Sequence, residues 1–421
     1  MREKLLINGG NNLSGEVEIG GAKNSAVALI VAAILARDIV ILTNVKPIED
    51  VFCLISILEK LNVNCYYDKK STLIIDSRRI KNTRLDSDEV YQLRASYYFM
   101  GALMSLFDHA EVGAPGGCNL GERPIDLHLL GFSKLGFDYH LDENIFIFDK
   151  KSESETTINL PKISVGATIN ILLASIGREK RVVINNIAIE PEIKDVIEFL
   201  KKMGANIKCR GRRLTITPQG KLKGVTHKVI PDRIEAGTFM ILGSILSPYL
   251  KINNINIKHL RNIIDVLSKI GVSIEEGDTY LIIRKQSKYT SQNIKVKPYP
   301  GFPTDLQQPL TVLLSMCEGE SSIEETIYPA RLSHVDSLNK MGADIRIEDN
   351  LIKINGVKNF KAADVDGEDL RGGISLVLAA LLGEGESKIG GVKYIKRGYS
   401  DLVKKIEGIG GNIKIIGETN K

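Results

Sequence analysis

The stretch Lys201-Lys202-Met203-Gly204-Ala205 is one copy of a pattern that recurs along the whole chain and indicates its fold. In each one a helical segment ends at a glycine or an asparagine, and a strand rich in β-branched residues follows. The residues that end these helices are Asn62, Gly136, Gly204, Gly271, Gly342 and Gly410, with spacings of 74, 68, 67, 71 and 68 residues. The sequence therefore predicts a structural unit of about 70 residues that is repeated six times.

The residue at the end of each helix is predicted to adopt the left-handed conformation. Glycine enters this conformation without a steric penalty, and asparagine tolerates it well. Asn62 therefore fits the pattern as its one exception to glycine. A chance recurrence of a Leu-Gly pair is the alternative, but chance would not keep the flanking helix and strand in register.

Each unit is predicted to contain an apolar helix, a strand, an amphipathic helix and two further strands. The apolar helices, such as those that start near Asn24, Glu235 and Arg371, should be buried because they lack a polar face. The strands, such as 39–42 and 182–184, would form sheets. The predicted fold class is α/β, with sheets and amphipathic helices arranged around buried helices.

The two ends of the chain are predicted to share one domain. The stretch 5–13 resembles 351–360, so residues 1 to about 21 would complete the sixth unit. The six units then divide three plus three, with a hinge where the chain crosses and a ligand cleft between the domains. The predicted domains are residues 22–231, which carry the loop around Cys118, and residues 1–21 together with 232–421.

The composition is that of an ordinary globular protein. The 421 residues are 43% hydrophobic and 25% charged, and the net charge of +5 is spread along the chain, which favours small anionic ligands over nucleic acid. The longest apolar run, 26–36, is shorter than the roughly 20 residues of a membrane span, and no secretory signal is expected from residues 1–7. Five cysteines without a paired spacing favour a reducing, cytoplasmic setting. The histidines show no metal-ligand spacing, so no metal is expected.

Charged residues at the starts of the buried helices are the first candidates for a functional site. They are Lys23, Arg94, Asp305 and the pair Asp369 and Arg371. A helix start has free N–H groups and the positive end of the helix dipole, so a cation there strengthens an anion site. Several such starts that converge would bind phosphates or carboxylates, whereas each one alone is equally typical of a solvated first turn.

A glycine-rich loop in the second unit supplies another candidate. It connects a strand to a helix over residues 114–128 and contains Gly116-Gly117-Cys118-Asn119-Leu120-Gly121, and Arg123 can favour the thiolate of Cys118. The other cysteines fall in helical or strand segments and are interpreted as structural: Cys53, Cys65, Cys209 and Cys317. A lone loop cysteine usually has no catalytic role, so the loop by itself leaves the role of Cys118 open.

Motifs spread along the whole chain carry a family resemblance. They are Gly21-Ala22-Lys23-Asn24, Leu93-Arg94-Ala95-Ser96, the highly specific segment 115–128, Ser164-Val165-Gly166-Ala167-Thr168, Pro231-Asp232-Arg233-Ile234-Glu235, Phe302-Pro303-Thr304-Asp305, Asp369-Leu370-Arg371 and Arg397-Gly398-Tyr399. Together they resemble the enolpyruvyl transferase family. The resemblance implies two inside-out α/β barrel domains, each built from three βαβαββ units, in agreement with the six repeats.

The resemblance also implies an activity. It is the transfer of the enolpyruvyl group of phosphoenolpyruvate to the 3′-hydroxyl of UDP-N-acetylglucosamine, with release of phosphate, as the first committed step of peptidoglycan synthesis. Addition is followed by elimination, and neither a metal nor an organic cofactor is implied. Two alternatives stay open. One is a sister enzyme that acts on shikimate 3-phosphate, against which the cysteine loop argues, and the other is a non-catalytic nucleotide-binding protein.

Roles for individual residues are implied in the same way. Cys118 would be the general acid and Asp305 the base for the sugar hydroxyl, with Lys23 and Arg397 also catalytic. The phosphate and the carboxylate would be held by Lys23, Arg94, Arg123, Arg371 and Arg397. The sugar nucleotide would contact Arg123, Pro124, Ile125, Asp126, Leu127, Lys162, Ile163, Ser164, Val165, Asp305 and Ile327. Asn24 and Asp369 would orient the reacting groups.

Two segments depart from the expected family pattern. One is Tyr328-Pro329-Ala330-Arg331-Leu332-Ser333-His334, and the other is Gln308-Pro309, shortly after Asp305. A proline is compatible with a helix here only if it falls in the first turn. The departures leave the details around Arg331 open but do not change the predicted reaction.

Overall fold

The computed structural model describes residues 3–68, 70–116 and 124–417, which form two compact units. The first unit consists of residues 21–116 and 124–230, and the second of residues 3–20 and 231–417. Each unit has its own apolar core. The described ends of the chain therefore fold into the same unit.

Short strands recur along the chain. Those up to residue 230 are β1 (Lys4–Gly9), β2 (Ser14–Glu18), β3 (Ile39–Thr43), β4 (Asn64–Tyr67), β5 (Leu73–Asp76), β6 (Arg84–Leu85), β7 (His109–Gly113), β8 (Phe137–Asp142), β9 (Ile145–Lys150), β10 (Thr156–Asn159), β11 (Val182–Asn185), β12 (Asn206–Arg210), β13 (Arg213–Thr217) and β14 (Thr226–Lys228). The later strands are β15 (Tyr249–Asn253), β16 (Ser273–Glu276), β17 (Tyr280–Arg284), β18 (Asn293–Lys295), β19 (Glu320–Glu324), β20 (Asp344–Glu348), β21 (Leu351–Asn355), β22 (Asp364–Asp366), β23 (Gly385–Gly390) and β24 (Asn412–Ile416).

Helices alternate with these strands. They are α1 (Lys23–Ala32), α2 (Glu49–Lys60), α3 (Asp88–Gln92), α4 (Tyr98–Leu106), α5 (Asp126–Lys134), α6 (Val165–Ile176), α7 (Pro191–Met203), α8 (Arg233–Leu246), α9 (Ile257–Ile270), α10 (Gln307–Leu314), α11 (His334–Lys340), α12 (Leu370–Leu382), α13 (Val392–Ile395) and α14 (Leu402–Gly408). Short 3-10 helices span Ala33–Ala36, Arg94–Tyr97 and Thr304–Leu306. Among the helices of the described residues, none is both long enough and apolar enough to cross a membrane.

Within the described residues the strands form six four-stranded sheets, three in each unit. All six sheets share one pattern, in which a short edge strand pairs in parallel with its neighbour and the other pairs are antiparallel. The sheet β6-β7-β9-β8 is an example, since only β6 and β7 are parallel. The six repeats predicted from the sequence therefore correspond to six copies of one sheet.

Within each unit, neighbouring repeats are joined by strands that pair in the sheet of another repeat. The last strand of each repeat pairs with the sheet of another repeat, so β6 lies beside β7, and β14 returns to β3. In the second unit β2 pairs with β15 in the same way. The N-terminal segment is therefore divided. β1 lies in the sheet of the sixth repeat with β23 and β24, whereas β2 completes the sheet of the fourth repeat.

The apolar helices are buried, as their composition predicts. They are α1, α4 and α6 in the first unit, and α8, α10 and α12 in the second. Within the first unit α4 packs against α6 and α1, and within the second α10 packs against α12 and α8. The predicted α/β fold, with helices inside and sheets outside, is confirmed.

The residues that end the predicted helices are all left-handed. Their φ angles are +60° at Asn62, +84° at Gly136, +113° at Gly204, +101° at Gly271, +95° at Gly342 and +93° at Gly410. This conformation turns the chain from the helix into the following strand. The repeated glycine is therefore explained by backbone geometry.

Gly271→Ala is expected to lower the free energy of unfolding by about 1 kcal/mol, because an alanine is strained in the left-handed region. Packing should not contribute, since a Cβ at this position would lie 3.9 Å from its nearest atom, the carbonyl oxygen of Lys288. Urea unfolding measures the change. Gly220→Ala is the control, because an added Cβ there meets nothing within 4 Å among the described residues and its φ is ordinary. Equal losses in both variants would contradict the backbone explanation.

Candidate active site

The structure describes most of the predicted site residues. Cys118 and Arg123 lie outside the described residues. The predicted residues in the first unit are Lys23, Asn24, Arg94, Pro124, Ile125, Asp126, Leu127, Lys162, Ile163, Ser164 and Val165, and those in the second are Asp305, Ile327, Asp369, Arg371 and Arg397. Each unit therefore carries its own set of predicted residues.

The predicted cations of the first unit stand at helix starts. Lys23 is the first residue of α1, and Arg94 is the first residue of the 3-10 helix that leads into α4. The Nζ of Lys23 lies 2.8 Å from Oδ2 of Asp50, a buried carboxylate in the first turn of α2. The guanidinium of Arg94 lies 5.4 Å from the ring centre of Tyr97, and its Nη1 donates a 3.4 Å hydrogen bond to the carbonyl of Pro115. Arg94 therefore contacts the predicted cysteine loop at Pro115.

Three predicted segments meet around Tyr97. Its ring packs edge-on against His128, with 4.8 Å between the ring centres, and His128 directly follows the predicted segment 124–127. Gly166, in the first turn of α6, approaches both rings, because a Cβ there would lie 2.6 Å from Oη of Tyr97 and 3.2 Å from Cε1 of His128. The segment that holds Arg94 and the starts of α5 and α6 are therefore neighbours.

The predicted residues at these helix starts differ in exposure. Asn24, Pro124, Asp126 and Lys162 are exposed, Ile163, Ser164 and Val165 are half-buried, and Ile125 and Leu127 are buried. Ser164 is the N-cap of α6, and its Oγ accepts a 3.2 Å hydrogen bond from the N–H of Ala167. A capped helix start with an exposed lysine two residues before it is suited to an anionic group.

His128 is a neutral imidazole with a defined tautomer. The Oδ1 of Asn170 accepts a 2.8 Å hydrogen bond from the N–H of Gly101, so its Nδ2 faces Nδ1 of His128 at 2.9 Å. Burial lowers the pKa of His128 to about 3, and the charge of Arg94 acts in the same direction. Because Nδ1 accepts a hydrogen bond, the ring proton is on Nε2. His128 therefore provides a hydrogen-bond donor beside the predicted sugar-nucleotide segments.

Asp305 is paired with two arginines in the second unit. It lies in the 3-10 helix that leads into α10. Its Oδ1 accepts a 2.8 Å hydrogen bond from Nη1 of Arg331, and its Oδ2 accepts one of 3.1 Å from Nη2 of Arg371. The side chains of both arginines are 6% exposed and that of Asp305 is 21% exposed. The cluster therefore holds two cations against one carboxylate.

The two arginines keep Asp305 ionised. Burial by itself would raise the pKa of Asp305, but the positive charges of Arg371 and Arg331 outweigh burial and hold this pKa well below its usual range. Burial also acts to lower the pKa of Arg371, but Asp305 raises it and the net shift is upward. Since a carboxylate of very low pKa is a weak base, Asp305 in this pairing is a better hydrogen-bond acceptor than proton acceptor.

Tyr399 fixes the other end of the Arg371 guanidinium. Its Oη accepts a 3.1 Å hydrogen bond from Nη1 of Arg371 and lies 2.7 Å from Oγ1 of Thr238. Thr238 donates its own proton to a backbone carbonyl of α8, so Tyr399 is the donor to Thr238. Arg397 is half-buried and lies between α13 and Tyr399. Each Nη of Arg371 therefore has a separate partner that orients it.

Ile327 is connected to the same cluster through Glu325. The N–H of Ile327 donates a 2.7 Å hydrogen bond to Oε1 of Glu325, and Oγ1 of Thr304 donates one of 2.8 Å to Oε2. Thr304 in turn accepts a 2.9 Å hydrogen bond from Nη1 of Arg331. Ile327 and Asp305 are thus joined in one network.

Asp369 caps helix α12. Its Oδ1 accepts hydrogen bonds from the N–H groups of Arg371 and Gly372, at 2.8 and 3.1 Å. Its Oδ2 accepts hydrogen bonds from Nε2 of Gln308 and Oγ of Ser333, both at 3.1 Å. Burial acts to raise the pKa of Asp369, but the hydrogen bonds from Gln308 and Gly372 lower it. Asp369 is therefore an ionised N-cap with donors on both oxygens.

Both departures from the expected family pattern lie in these clusters. Pro309 is the third residue of α10, so it falls in the first turn, where its missing N–H is tolerated. Gln308 comes from the same departure, and Arg331 and Ser333 come from the other. The departing segments therefore supply partners for the two carboxylates Asp305 and Asp369.

Sequence reasoning missed several residues of these clusters. Tyr399 and His128 belong to the family motifs, and their place next to predicted residues is the only signal that the sequence offers for them. Arg331 is marked in the sequence only as part of a departing segment. Glu325 gave no signal, because an acid at the end of a strand is ordinary. A role for such residues becomes visible only when their partners are known.

Each cluster has the chemistry of an anion site. Lys23 and Arg94 in the first unit, and Arg331 and Arg371 in the second, are buried or half-buried cations at or near helix starts. Arginines in fixed orientation bind phosphate and carboxylate groups through paired hydrogen bonds. Within the described ranges, no group of three or more His, Cys, Asp or Glu side chains is placed to hold a metal ion.

Comparisons with solved structures identify the fold. The enolpyruvyl transferase NikO from Streptomyces tendae superposes with a TM-score of 0.92 at 23% identity, covering 99% of this chain and 100% of that one. EPSP synthase from Acinetobacter baumannii superposes with a TM-score of 0.73 at 17% identity, with the same coverage. At these identities the likeness shows a shared fold.

Comparisons of sequence extend over nearly the whole chain. UDP-N-acetylglucosamine 1-carboxyvinyltransferase 2 from Listeria monocytogenes is 44% identical over 414 residues, which is 98% of each chain. UDP-N-acetylglucosamine 1-carboxyvinyltransferase from Clostridium botulinum is 42% identical over 97% of this chain and 99% of its own. The family model of EPSP synthase (3-phosphoshikimate 1-carboxyvinyltransferase) matches residues 7–406. The chain therefore belongs to the EPSP synthase family of enolpyruvyl transferases, the family that its motifs indicated.

Proposed function

We propose that this protein transfers the enolpyruvyl group of phosphoenolpyruvate to the 3′-hydroxyl of UDP-N-acetylglucosamine and releases phosphate, the first committed step of peptidoglycan synthesis. The observation that carries the proposal is the 44% identity, over 98% of both chains, to a relative named for this activity. The cation clusters at the helix starts support it, because both substrates are anions. The four described cysteines are free thiols, which agrees with a reducing setting, and a cytoplasmic location stays a prediction.

The reaction would proceed by addition and elimination. Cys118 donates a proton to C3 of the enol while the 3′-oxygen of the sugar attacks C2 and loses its own proton to Asp305. The tetrahedral intermediate then loses phosphate from C2 and a proton from C3, which restores the double bond. Lys23, Arg94, Arg123, Arg371 and Arg397 would neutralise the phosphate and carboxylate during both steps. The sugar nucleotide would contact the segments 123–127 and 162–165 and Ile327.

The low pKa of Asp305 requires a step before it can act as a base. A substrate phosphate or carboxylate that binds Arg371 would compete with Asp305 for the guanidinium. Loss of that ion pair raises the pKa of Asp305, since less positive charge remains beside it. We therefore infer that binding of the anion prepares Asp305 to accept the proton of the sugar hydroxyl.

The second candidate is transfer to shikimate 3-phosphate. It is favoured by the family model, which is named for EPSP synthase. Against it stands the lower identity of 17% to an EPSP synthase of known structure. The two activities share the donor and the released phosphate and differ in the acceptor.

Phosphate release from phosphoenolpyruvate separates the two candidates. With UDP-N-acetylglucosamine as acceptor we expect release at enzymatic rates, and with shikimate 3-phosphate we expect only the background rate without acceptor. Release with shikimate 3-phosphate alone would favour the second candidate. Absence of release with either acceptor would contradict both.

A further inference from the structure

The two segments that depart from the expected family pattern meet at one carboxylate oxygen. Gln308, from the start of α10, and Ser333, which precedes α11, both donate hydrogen bonds of 3.1 Å to Oδ2 of Asp369. These residues are 61 and 36 positions away from Asp369 in the sequence. Three separate segments of the second unit are therefore tied together at this atom.

The donors on Asp369 are fully specified. Oδ1 takes the N–H groups of Arg371 and Gly372, as in an ordinary N-cap. Because Oδ2 can only accept, the atom of Gln308 that faces it is the NH2 group. With two donors on each oxygen, the acceptor sites of Asp369 are occupied by the protein itself, and the residue is 2% exposed.

The residues around Asp369 and Gln308 accommodate this hydrogen-bonded pair. A Cβ on Gly372 would lie 3.0 Å from Oδ2 of Asp369 and 3.3 Å from Nε2 of Gln308, so the missing side chain makes room for the pair. Ser333 occupies the N-cap position of α11, yet in the described part of the chain its hydroxyl donates to Asp369 and does not cap that helix. Nδ1 of His334 lies 3.4 Å from the same NH2 group of Gln308.

We propose that Gln308 and Ser333 are positioning residues that hold Asp369 as the N-cap of α12 and thereby fix the position of Arg371. Arg371 is the second residue of that helix, and its backbone N–H is one of the groups that Asp369 binds. Asp369 then acts through the geometry of the helix start and does not touch the substrate. The proposal rests on the proposed function only in that Arg371 binds phosphoenolpyruvate, the donor of the enolpyruvyl group.

A substitution of Gln308 is the first test of this proposal. Gln308→Glu places two carboxylates at hydrogen-bond distance, where their repulsion disfavours both charges. We expect kcat/KM for phosphoenolpyruvate to fall about 100-fold at a pH of about 8, as for a misplaced binding group. A partial recovery is expected at lower pH, when the carboxylates share a proton. The KM for phosphoenolpyruvate should rise more than that for the acceptor.

The double variant Asp369→Asn with Gln308→Glu reverses the pair and keeps one amide and one carboxylate. Asparagine is as good an N-cap as aspartate, and its NH2 group can donate to the carboxylate introduced at position 308. We expect kcat/KM to return to within about tenfold of the wild type, because geometry is restored. If Asp369 acted on the substrate directly, the double variant would stay as inactive as Gln308→Glu, and the proposal would be overturned.

Two controls separate positioning from a general loss of structure. Ser315→Ala removes a buried hydroxyl that bonds to the carbonyl of Thr311 at the far end of α10, and it should leave the KM for phosphoenolpyruvate unchanged. Urea unfolding shows whether Gln308→Glu is folded. If it is not, Ser333→Ala replaces it, with an expected rise of about threefold in the same KM, and an unchanged KM would overturn the proposal.

A binding measurement keeps this proposal distinct from the proposed function. Phosphoenolpyruvate should raise the melting temperature of the wild type and of the double variant. The rise in the melting temperature of Gln308→Glu should be smaller. Equal shifts in all three would contradict a positioning role. A wild type that binds phosphoenolpyruvate but releases no phosphate with UDP-N-acetylglucosamine would contradict the proposed function alone.

Discussion

Asp305→Ala is expected to lower the free energy of unfolding of the second unit by about 3 kcal/mol and to abolish turnover. The carboxylate bridges Arg331 and Arg371, whose side chains are both 6% exposed. Removal of one partner from a buried ion pair leaves charges without compensation, which destabilises a protein strongly. Turnover is lost as well, because the proposed base is gone and Arg371 loses one of its two orienting partners.

Urea unfolding and phosphate release measure the two effects. Glu276→Ala is the matched control, because Glu276 also accepts two hydrogen bonds from an arginine, Arg261, but this pair lies at the surface. Its loss is expected to be below about 1 kcal/mol. Arg331→Met added to Asp305→Ala should recover part of the stability, since it removes one uncompensated charge. Equal losses for Asp305→Ala and Glu276→Ala would contradict the buried cluster.

The dependence on pH has a definite sign. The pKa of Asp305 is lowered in the folded state, so its stabilisation is fully present above the unfolded value of about 4. It is lost as the pH falls below that value toward the folded pKa. The difference in stability between the wild type and Asp305→Ala should therefore shrink in acid. A difference that grows in acid would contradict the pairing.

Cys118→Ala is expected to lower kcat by about 1,000-fold, the loss typical of a missing general acid. Cys118 lies outside the described residues, so this expectation comes from the loop sequence and the family resemblance. Cys118→Asp should retain turnover, because a carboxylic acid can also donate the proton. Loss of all turnover in Cys118→Asp would count against the role of an acid.

Covalent labelling checks the same residue independently. Fosfomycin in the presence of UDP-N-acetylglucosamine should add to Cys118, seen as a shift in intact mass that Cys118→Asp abolishes. Cys209→Ser is the control. Cys209 is exposed, but burial of its sulfur raises the pKa of the thiol, so little thiolate is present to react. A mass shift that persists in Cys118→Asp and disappears in Cys209→Ser would show that fosfomycin labels Cys209, which would contradict the role assigned to Cys118.

Much of the fold could be predicted from the sequence, because residues that are close together in the sequence encode the repeat. The left-handed glycine, the apolar helix and the β-branched strand each depend on neighbouring residues. The parallel edge strands could not be found from the residues, since β6 has only Arg84 and Leu85. The pairing of β2 with β15 joins positions 235 residues apart, as at Ser14 and Tyr249, and local sequence does not encode such a distance.

The candidate site was predictable where a helix start carries the signal. Lys23, Arg94 and Arg371 stand at helix starts as expected. The state of Asp305 was not predictable, because its pKa depends on Arg331 and Arg371, which are 26 and 66 residues away. The role of Asp369 as a cap held by Gln308 likewise follows from a contact between distant segments. The pKa of Asp305 and the positioning of Asp369 could therefore be recognised only in the structure.

A competition between two acceptors for phosphoenolpyruvate is the decisive experiment on the proposed activity. The protein is given phosphoenolpyruvate with equal concentrations of UDP-N-acetylglucosamine and shikimate 3-phosphate, and mass spectrometry identifies the enolpyruvyl ether that forms. We expect the enolpyruvyl group on the nucleotide sugar, with phosphate released in equal amount. Enolpyruvyl shikimate 3-phosphate as the main product, or no ether on either acceptor, would contradict it.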